Sequence, residues 1–445
     1  MLLAESMVTV HRSLSPIQSF EEAPGTSGWD TDRAPRGEVK VMLSSAPHIF
    51  RSQLARQGFH PEYAEKLRAQ FEALRSHSVP VVFTLMHLSI LSGVSWEALR
   101  SVVKRTHPEV DYTVYPKRKR AGGLRWITIP SHQLHATQAW IANNILKSGG
   151  AAALLHRAAT AYAEGHSTFK NAEPHTGAPW IVRIDIQSFF ESISERQVYH
   201  AFRRLGYTAL LSFEMARICT RVVPSSEAKH RKRDDQLRWK GNTTSREVGP
   251  YPTRAIGHLP QGAPTSPMLS NLVLAPIDAQ IQATAEKYAA VYTRYADDLV
   301  LSFSIGPKRR VEEVLSSVRR ILGDHGFVLN RKKTRILGPG ARKIVTGLLV
   351  DRERPRLPRT FKAHLSAAIY HLEKRGVADC SLRMRSKDPF SYLDHLAGQL
   401  QYAFSIEAEF ARAMFTRIEA VMNREQQLID LLKSFGPSGK TNLTR

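Results

Sequence analysis

The chain is poor in cysteine. Cys219 and Cys380 are the two in 445 residues, which excludes a disulfide framework and a cysteine-rich zinc site and suits a reducing cytoplasm. No apolar run reaches the roughly 18 residues that crossing a bilayer requires, so no membrane span is expected. The opening residues MLLAESMVTV lack the basic-then-apolar order of a secretory leader. Acidic side chains are also scarce. Asp plus Glu number 40 against 63 Lys plus Arg, a formal net charge of +23. That excess points to a polyanionic partner, nucleic acid or an acidic surface, because each phosphate contact releases counterions. Hydrophobic residues make up 42% of the chain. Wholesale disorder is therefore excluded, and the length suggests two or three lobes.

The pattern divides the chain. Residues 1–44 read as a flexible N-terminal arm, rich in Ser, Pro, Gly and charge. Residues 45–110 read as helical, with Leu67, Phe71 and Leu74 at three- and four-residue spacing and a break at Gly93 before a Ser95 cap. DYTVYPKRKRAGGLRWITIP reads as a β-hairpin with a basic loop, followed by a helix through LHATQAWIANNIL. WIVRIDI reads as a strand feeding an amphipathic helix, FFESISERQVYHAFRRLG, in which Ser194 and Gln197 have capping-box spacing. A polar, basic insertion fills 224–255; it either grips RNA or a partner protein or is a solvated loop. LPQGAPTSP opens a helix, AAVYTRYADDLVLSFSI reads as a hairpin, and FVLNRKKTRIL and RKIVTGLLV read as strands. Residues 358–436 are helical and basic, with Tyr402 and Phe404 expected inside, and 437–445 form a polar tail. No protease, endonuclease or RNase H signature is apparent.

The chemistry lies in the carboxylates. Asp185 ends an otherwise apolar strand, where an unpaired charge is costly. Asp297 and Asp298 stand side by side at a hairpin tip, where two anions repel. A divalent cation relieves both, and two Mg²⁺ ions about 3.5–4 Å apart can clamp the attacking and leaving oxygens of a phosphoryl displacement. A solvated Asp-Asp turn is the plain alternative for that dipeptide taken alone.

Taken in order, these segments resemble reverse transcriptases, and within them the retron type. Asp185 in IVRIDIQSFFESI, the LPQGAPTSPMLSNL loop-helix, Tyr295-Ala296-Asp297-Asp298 in YTRYADDLVLSF, and GFVLNRKKT carry the likeness over roughly residues 85–430. The resemblance implies an α+β right-hand polymerase, with fingers and palm over 111–357 and a helical thumb over 358–436. It implies RNA-directed DNA synthesis from dNTPs. Asp185, Asp297 and Asp298 would be catalytic and, with the backbone carbonyl of Ile186, would hold two Mg²⁺, Asp298 more weakly. Lys333 would protonate the leaving pyrophosphate, a role its neighbour Lys332 could exchange. Lys117, Arg125, Phe190, Gln261 and Gly262 would bind the nucleotide. Arg pairs phosphate oxygens, Gly permits close backbone approach, and Phe190 excludes a ribose 2′-hydroxyl while Phe189 packs in the core.

Two shorter matches narrow the type. Asn171-Ala172-Glu173-Pro174-His175 resembles the retron NAxxH element and Val345-Thr346-Gly347 the VTG element. Asn171, His175, Val345, Thr346 and Gly347 are accordingly expected to contact RNA, with His175 also open to a purely structural role. The resemblance implies a cognate structured noncoding RNA as template and primer, a cDNA product branched from an RNA 2′-hydroxyl, a nearby effector protein, and anti-phage defence in the cytoplasm. The rival readings are another bacterial reverse transcriptase, of group II intron or abortive-infection type, and a catalytically silent RNA-binding scaffold.

Overall fold

Short β-rich segments and longer segments with helical spacing give a chain of helices and antiparallel sheets. The computed structural model describes residues 61–118, 124–223, 256–304, 308–384, 386 and 388–434, together with strands β1 (Met7–Val8) and β2 (Val41–Met42), which pair antiparallel. The rest of the N-terminal arm, the AGG turn, the 224–255 insertion and the polar tail lie outside the described residues. The remaining strands are β3 (Tyr112–Arg118), β4 (Leu124–Pro130), β5 (Trp180–Asp185), β6 (Ala290–Tyr295), β7 (Asp298–Phe303), β8 (Arg335–Leu337), β9 (Ile344–Val345) and β10 (Leu348–Leu349). The chain forms two compact units: 1–163 with 186–280 and 320–329, and 164–185 with 281–319 and 330–445.

In the first unit, the helix Pro61–Ser76 buries Leu67, Phe71 and Leu74, as their spacing predicts. Gly93, at φ 68°, ends the helix Leu85–Ser92, and the Ser95 hydroxyl accepts from the Ala98 amide to start Trp96–Lys104. The β3–β4 hairpin sets Lys117 opposite Arg125. The following helix, His132–Trp140, passes into a π-helical turn, Ile141–Ile145. Glu195 is buried between Arg105 (2.6 Å) and Arg217 (3.1 Å) and accepts from the Gly257 amide. Burial alone would raise its pKa; Arg105 and then Arg217 hold it below the ordinary value.

The single helix expected over FFESISERQVYHAFRRLG is broken. Phe190–Ser192 is one 3₁₀ turn, and the helix begins at Glu195. The Ser194 hydroxyl accepts from the Gln197 amide while Gln197 Oε1 accepts from the Ser194 amide, a capping box that stops the helix there. Ile193 stays extended, its carbonyl accepting from the Leu259 amide.

The second unit holds a four-stranded antiparallel sheet of order β6-β7-β5-β8. Its core runs from Ile181 and Val300 on the sheet through Val345, Leu348 and Val350 to Leu365, Ile369 and Leu372 on the helix Arg359–Arg383. That helix is interrupted at Gly376 (φ 75°, ψ 174°). Pro389–Phe404 and Ala408–Ser434 complete a three-helix group, joined by the Glu373–Arg417 pair at 2.7 Å and by Lys362 with Glu407. Tyr402 packs against this core, but Phe404 does not: it is 40% exposed, with the Arg412 guanidinium over its ring. The strands expected over FVLNRKKTRIL and RKIVTGLLV are also shorter than their composition suggests. The Asn330 carbonyl accepts from the Lys333 and Thr334 amides and folds NRKKT into a turn. Thr346 (φ 44°) and Gly347 (φ 86°) turn the chain between β9 and β10.

Candidate active site

The acids meet because of register. β5 and β7 pair antiparallel with Asp185 directly opposite Asp298, and β6 pairs β7 with Tyr295 opposite the same residue. Two residues, Ala296 and Asp297, close the β6–β7 hairpin, with Ala296 left-handed at φ 56°. Alternation then assigns one sheet face to Asp185, Arg183 and Ile181 of β5, to Asp298, Val300 and Ser302 of β7, and to Tyr295 and Thr293 of β6. Directly opposed Cβ atoms lie about 4.5–5.5 Å apart, so two carboxylates share one end of that face with a third at the adjoining turn.

Their electrostatics follow from that crowding. Asp185 is 5% exposed, and its Oδ2 accepts from Lys333 Nζ at 2.6 Å. Burial pushes the Asp297 carboxyl up to about 6, reinforced by the charges of Asp298 and Asp185. Asp298 is raised too, first by burial, against the opposing pull of Arg183, whose Nη2 stands 4.0 Å away. Lys333 is 60% exposed. Partial burial lowers its pKa, but the bond to Asp185 and the three carboxylates outweigh this and hold the ammonium above its ordinary value. The ammonium therefore stays charged beside the acids.

The donor set is all carboxylate oxygen, which suits a hard divalent cation such as Mg²⁺. The raised pKa of Asp297 marks excess negative charge that such a cation would relieve. Among the described residues no three His, Cys, Asp or Glu side chains are gathered closely enough to hold a metal. The backbone brings the acids together, but their side chains repel, and Lys333 and Arg183 each stand against one of them. Arg183 is the residue that the sequence reading missed. Its signal was available: a position two before Asp185 on a strand shares its face.

The NAxxH and VTG residues are placed differently from their expected RNA contacts. Asn171, His175 and Val345 are fully buried, so their side chains are closed to a direct RNA contact. His175 Nδ1 lies 2.7 Å from Ser302 Oγ and Nε2 lies 2.7 Å from Thr293 Oγ1. Burial lowers this imidazole to about 4 and keeps it neutral. The Thr346 hydroxyl donates to the Thr168 carbonyl at 3.0 Å, and the Gly177 amide donates to the Val350 carbonyl. The two elements are thus stitched together, and of the five residues Gly347 alone is exposed.

The expected nucleotide-binding residues lie in the first unit. Lys117 and Arg125 are exposed across the β3–β4 hairpin. The Gln261 carbonyl accepts from the Thr128 amide at 2.8 Å, and a Cβ on Gly262 (φ 127°) would stand 2.6 Å from the Thr128 carbonyl oxygen. Glycine is therefore required for the loop to lie against β4. Phe189 is buried, whereas Phe190 is partly exposed, their ring centroids 5.3 Å apart. Ile186 is buried and bridges to Leu329.

Comparison with known proteins agrees with this arrangement. The family described as "Reverse transcriptase (RNA-dependent DNA polymerase)" matches residues 115–393. The Retron Ec86 reverse transcriptase of Escherichia coli is 29% identical over 347 residues, 78% of this chain and 91% of the relative. The Retron Mx162 reverse transcriptase of Myxococcus xanthus is 32% identical over 349 residues, 75% of this chain and 66% of the relative. The Retron Mx65 reverse transcriptase of the same organism is 29% identical over 353 residues, 77% and 73%. With strand register, acid placement and likeness in agreement, the chain belongs to the reverse transcriptase family and is an RNA-directed DNA polymerase of the retron type.

Proposed function

We propose that this enzyme copies a cognate structured noncoding RNA into multicopy single-stranded DNA, primed from an internal 2′-hydroxyl of that RNA, and serves anti-phage defence beside an effector protein. The observation that carries the catalytic part is the register of Asp185 against Asp298, with Asp297 at the turn and the Lys333 ammonium on Asp185. The retron names of the similar proteins support the choice of RNA and product. The net charge of +23 supports a nucleic-acid partner. In this reading the four-stranded sheet is the palm, the β3–β4 hairpin belongs to the fingers, and the three C-terminal helices form the thumb.

Two Mg²⁺ held by Asp185 and Asp297, with Asp298 in support, would supply the Lewis acid of an in-line nucleotidyl transfer. The protein's own groups do the rest. Lys333 holds a proton at Nζ and delivers it to the departing pyrophosphate. Arg183 opposes the rise that burial imposes on the Asp298 carboxyl. Lys117 and Arg125 supply paired cations for a triphosphate, Gln261 and Gly262 offer backbone to the nucleotide, and Phe190 guards against a ribose.

The test uses purified protein with its co-purified RNA, dNTPs and Mg²⁺. A DNA product covalently joined to RNA is expected, and a debranching enzyme should shift its mobility. A product that debranching leaves unshifted would contradict 2′-hydroxyl priming and favour another type of bacterial reverse transcriptase.

A further inference from the structure

Both ring nitrogens of the buried histidine of the NAxxH element are engaged. Its two ring nitrogens bond one hydroxyl on each strand of the hairpin that carries Asp297 and Asp298. Thr293 is on β6 and Ser302 on β7, and both share the sheet face of Asp298. The Thr293 hydroxyl also donates to the Asn171 carbonyl at 3.3 Å. A hydroxyl has one proton, so Thr293 Oγ1 must accept from Nε2–H. Nδ1 is then the bare nitrogen, and it accepts from the Ser302 hydroxyl. The tautomer is fixed by its surroundings, and Ser302, His175, Thr293 and Asn171 form one directed relay.

The placement gives this relay a purpose. Among the described residues β6 is an edge strand, paired with β7 alone. An edge strand gains its second anchor from whatever covers it. Ser302 lies four residues from Asp298, about 13 Å along the strand. The 164–177 segment that carries His175 is in turn stitched to the VTG turn and to Val350, which belongs to the same core cluster as Leu365 and Ile369 of the helix Arg359–Arg383.

We propose that His175 is a positioning residue of the polymerase: by bridging Thr293 and Ser302 it holds the Asp297–Asp298 hairpin in register with Asp185. The proposal rests on the reading of that hairpin as catalytic. A small displacement of reacting groups is costly, so His175→Phe should lower kcat on the order of 10–100-fold while RNA affinity and the KM for dNTP stay unchanged. His175→Gln, which keeps one of the two bonds, should fall between. Thr293→Val and Ser302→Ala should each lower kcat in the wild-type background and add nothing to His175→Phe, because all three cut the same relay. Hydrogen exchange in the peptide 290–303 should accelerate in His175→Phe without change in the first unit. If His175→Phe does not fold, Thr293→Val and Ser302→Ala carry the test: wild-type kcat in both overturns the proposal. Loss of RNA affinity at unchanged kcat in folded His175→Phe also overturns it, by making the residue an RNA contact. Absence of synthesis by the wild-type protein would instead remove the catalytic reading itself, a separate outcome.

Discussion

One face of the β6-β7-β5-β8 sheet has two unlike ends. At one end Asp185, Asp298 and the turn residue Asp297 crowd like charges, and Lys333 is largely exposed. At the other end His175, Thr293, Ser302, Ile181 and Val300 are buried, neutral and satisfied. The first end is electrostatically frustrated, its carboxyls raised by burial and by one another. The second carries the His175 bridge proposed above to hold the first in place. The difference teaches that activity and stability should separate along a single strand pair.

Four substitutions or conditions probe that separation. Asp185→Ala removes a carboxylate that faces the other two and partners Lys333; DNA synthesis should drop on the order of 10³-fold or more, measured as dNTP incorporation on bound RNA. Lys333→Ala should cost on the order of 10²-fold in kcat by removing the proposed general acid, with Lys333→Arg recovering little because its proton is not released. At the neutral end, Ile181→Ala should cost about 2–5 kcal/mol of stability in urea unfolding, with a smaller loss of kcat per folded molecule.

The smallest effect concerns pH. Asp297 titrates near 6 in the folded protein, above its unfolded value. Its contribution to stability is present below the unfolded pKa and is lost as pH rises through about 6. Protein in chelator should therefore gain a little stability on moving from pH 7 to pH 4.5, a gain that Asp297→Asn abolishes. Over the same range Mg²⁺ affinity should weaken, since the proton competes for the carboxylate.

Much of this was legible in the sequence, for identifiable reasons. The Gly93 break, the Ser95 and Ser194 caps and the β3–β4 hairpin follow from local backbone chemistry, which acts within a few residues. The acids were legible as types, because adjacent carboxylates and a charge ending an apolar strand are conspicuous. Their mutual register was not, since strand pairing joins residues more than 100 positions apart. The same limit hid the partners of His175, which lie 118 and 127 residues away; the motif match left RNA contact and a structural role both open, and the fold supplies two hydroxyls. Arg183 was missed because the strand was read for its apolar character and the acid that ends it. Phe404 was placed inside on its apolar character, whereas its side of the helix Pro389–Phe404 faces outward.

The most direct measurement is dNTP incorporation by the Asp297→Ala/Asp298→Ala protein, purified with its RNA and compared with wild type. RNA should be retained in full while DNA synthesis disappears, with folding unchanged because repelling charges have been removed. Synthesis at the wild-type rate by that folded, RNA-bound variant would contradict the assignment of the hairpin acids to catalysis.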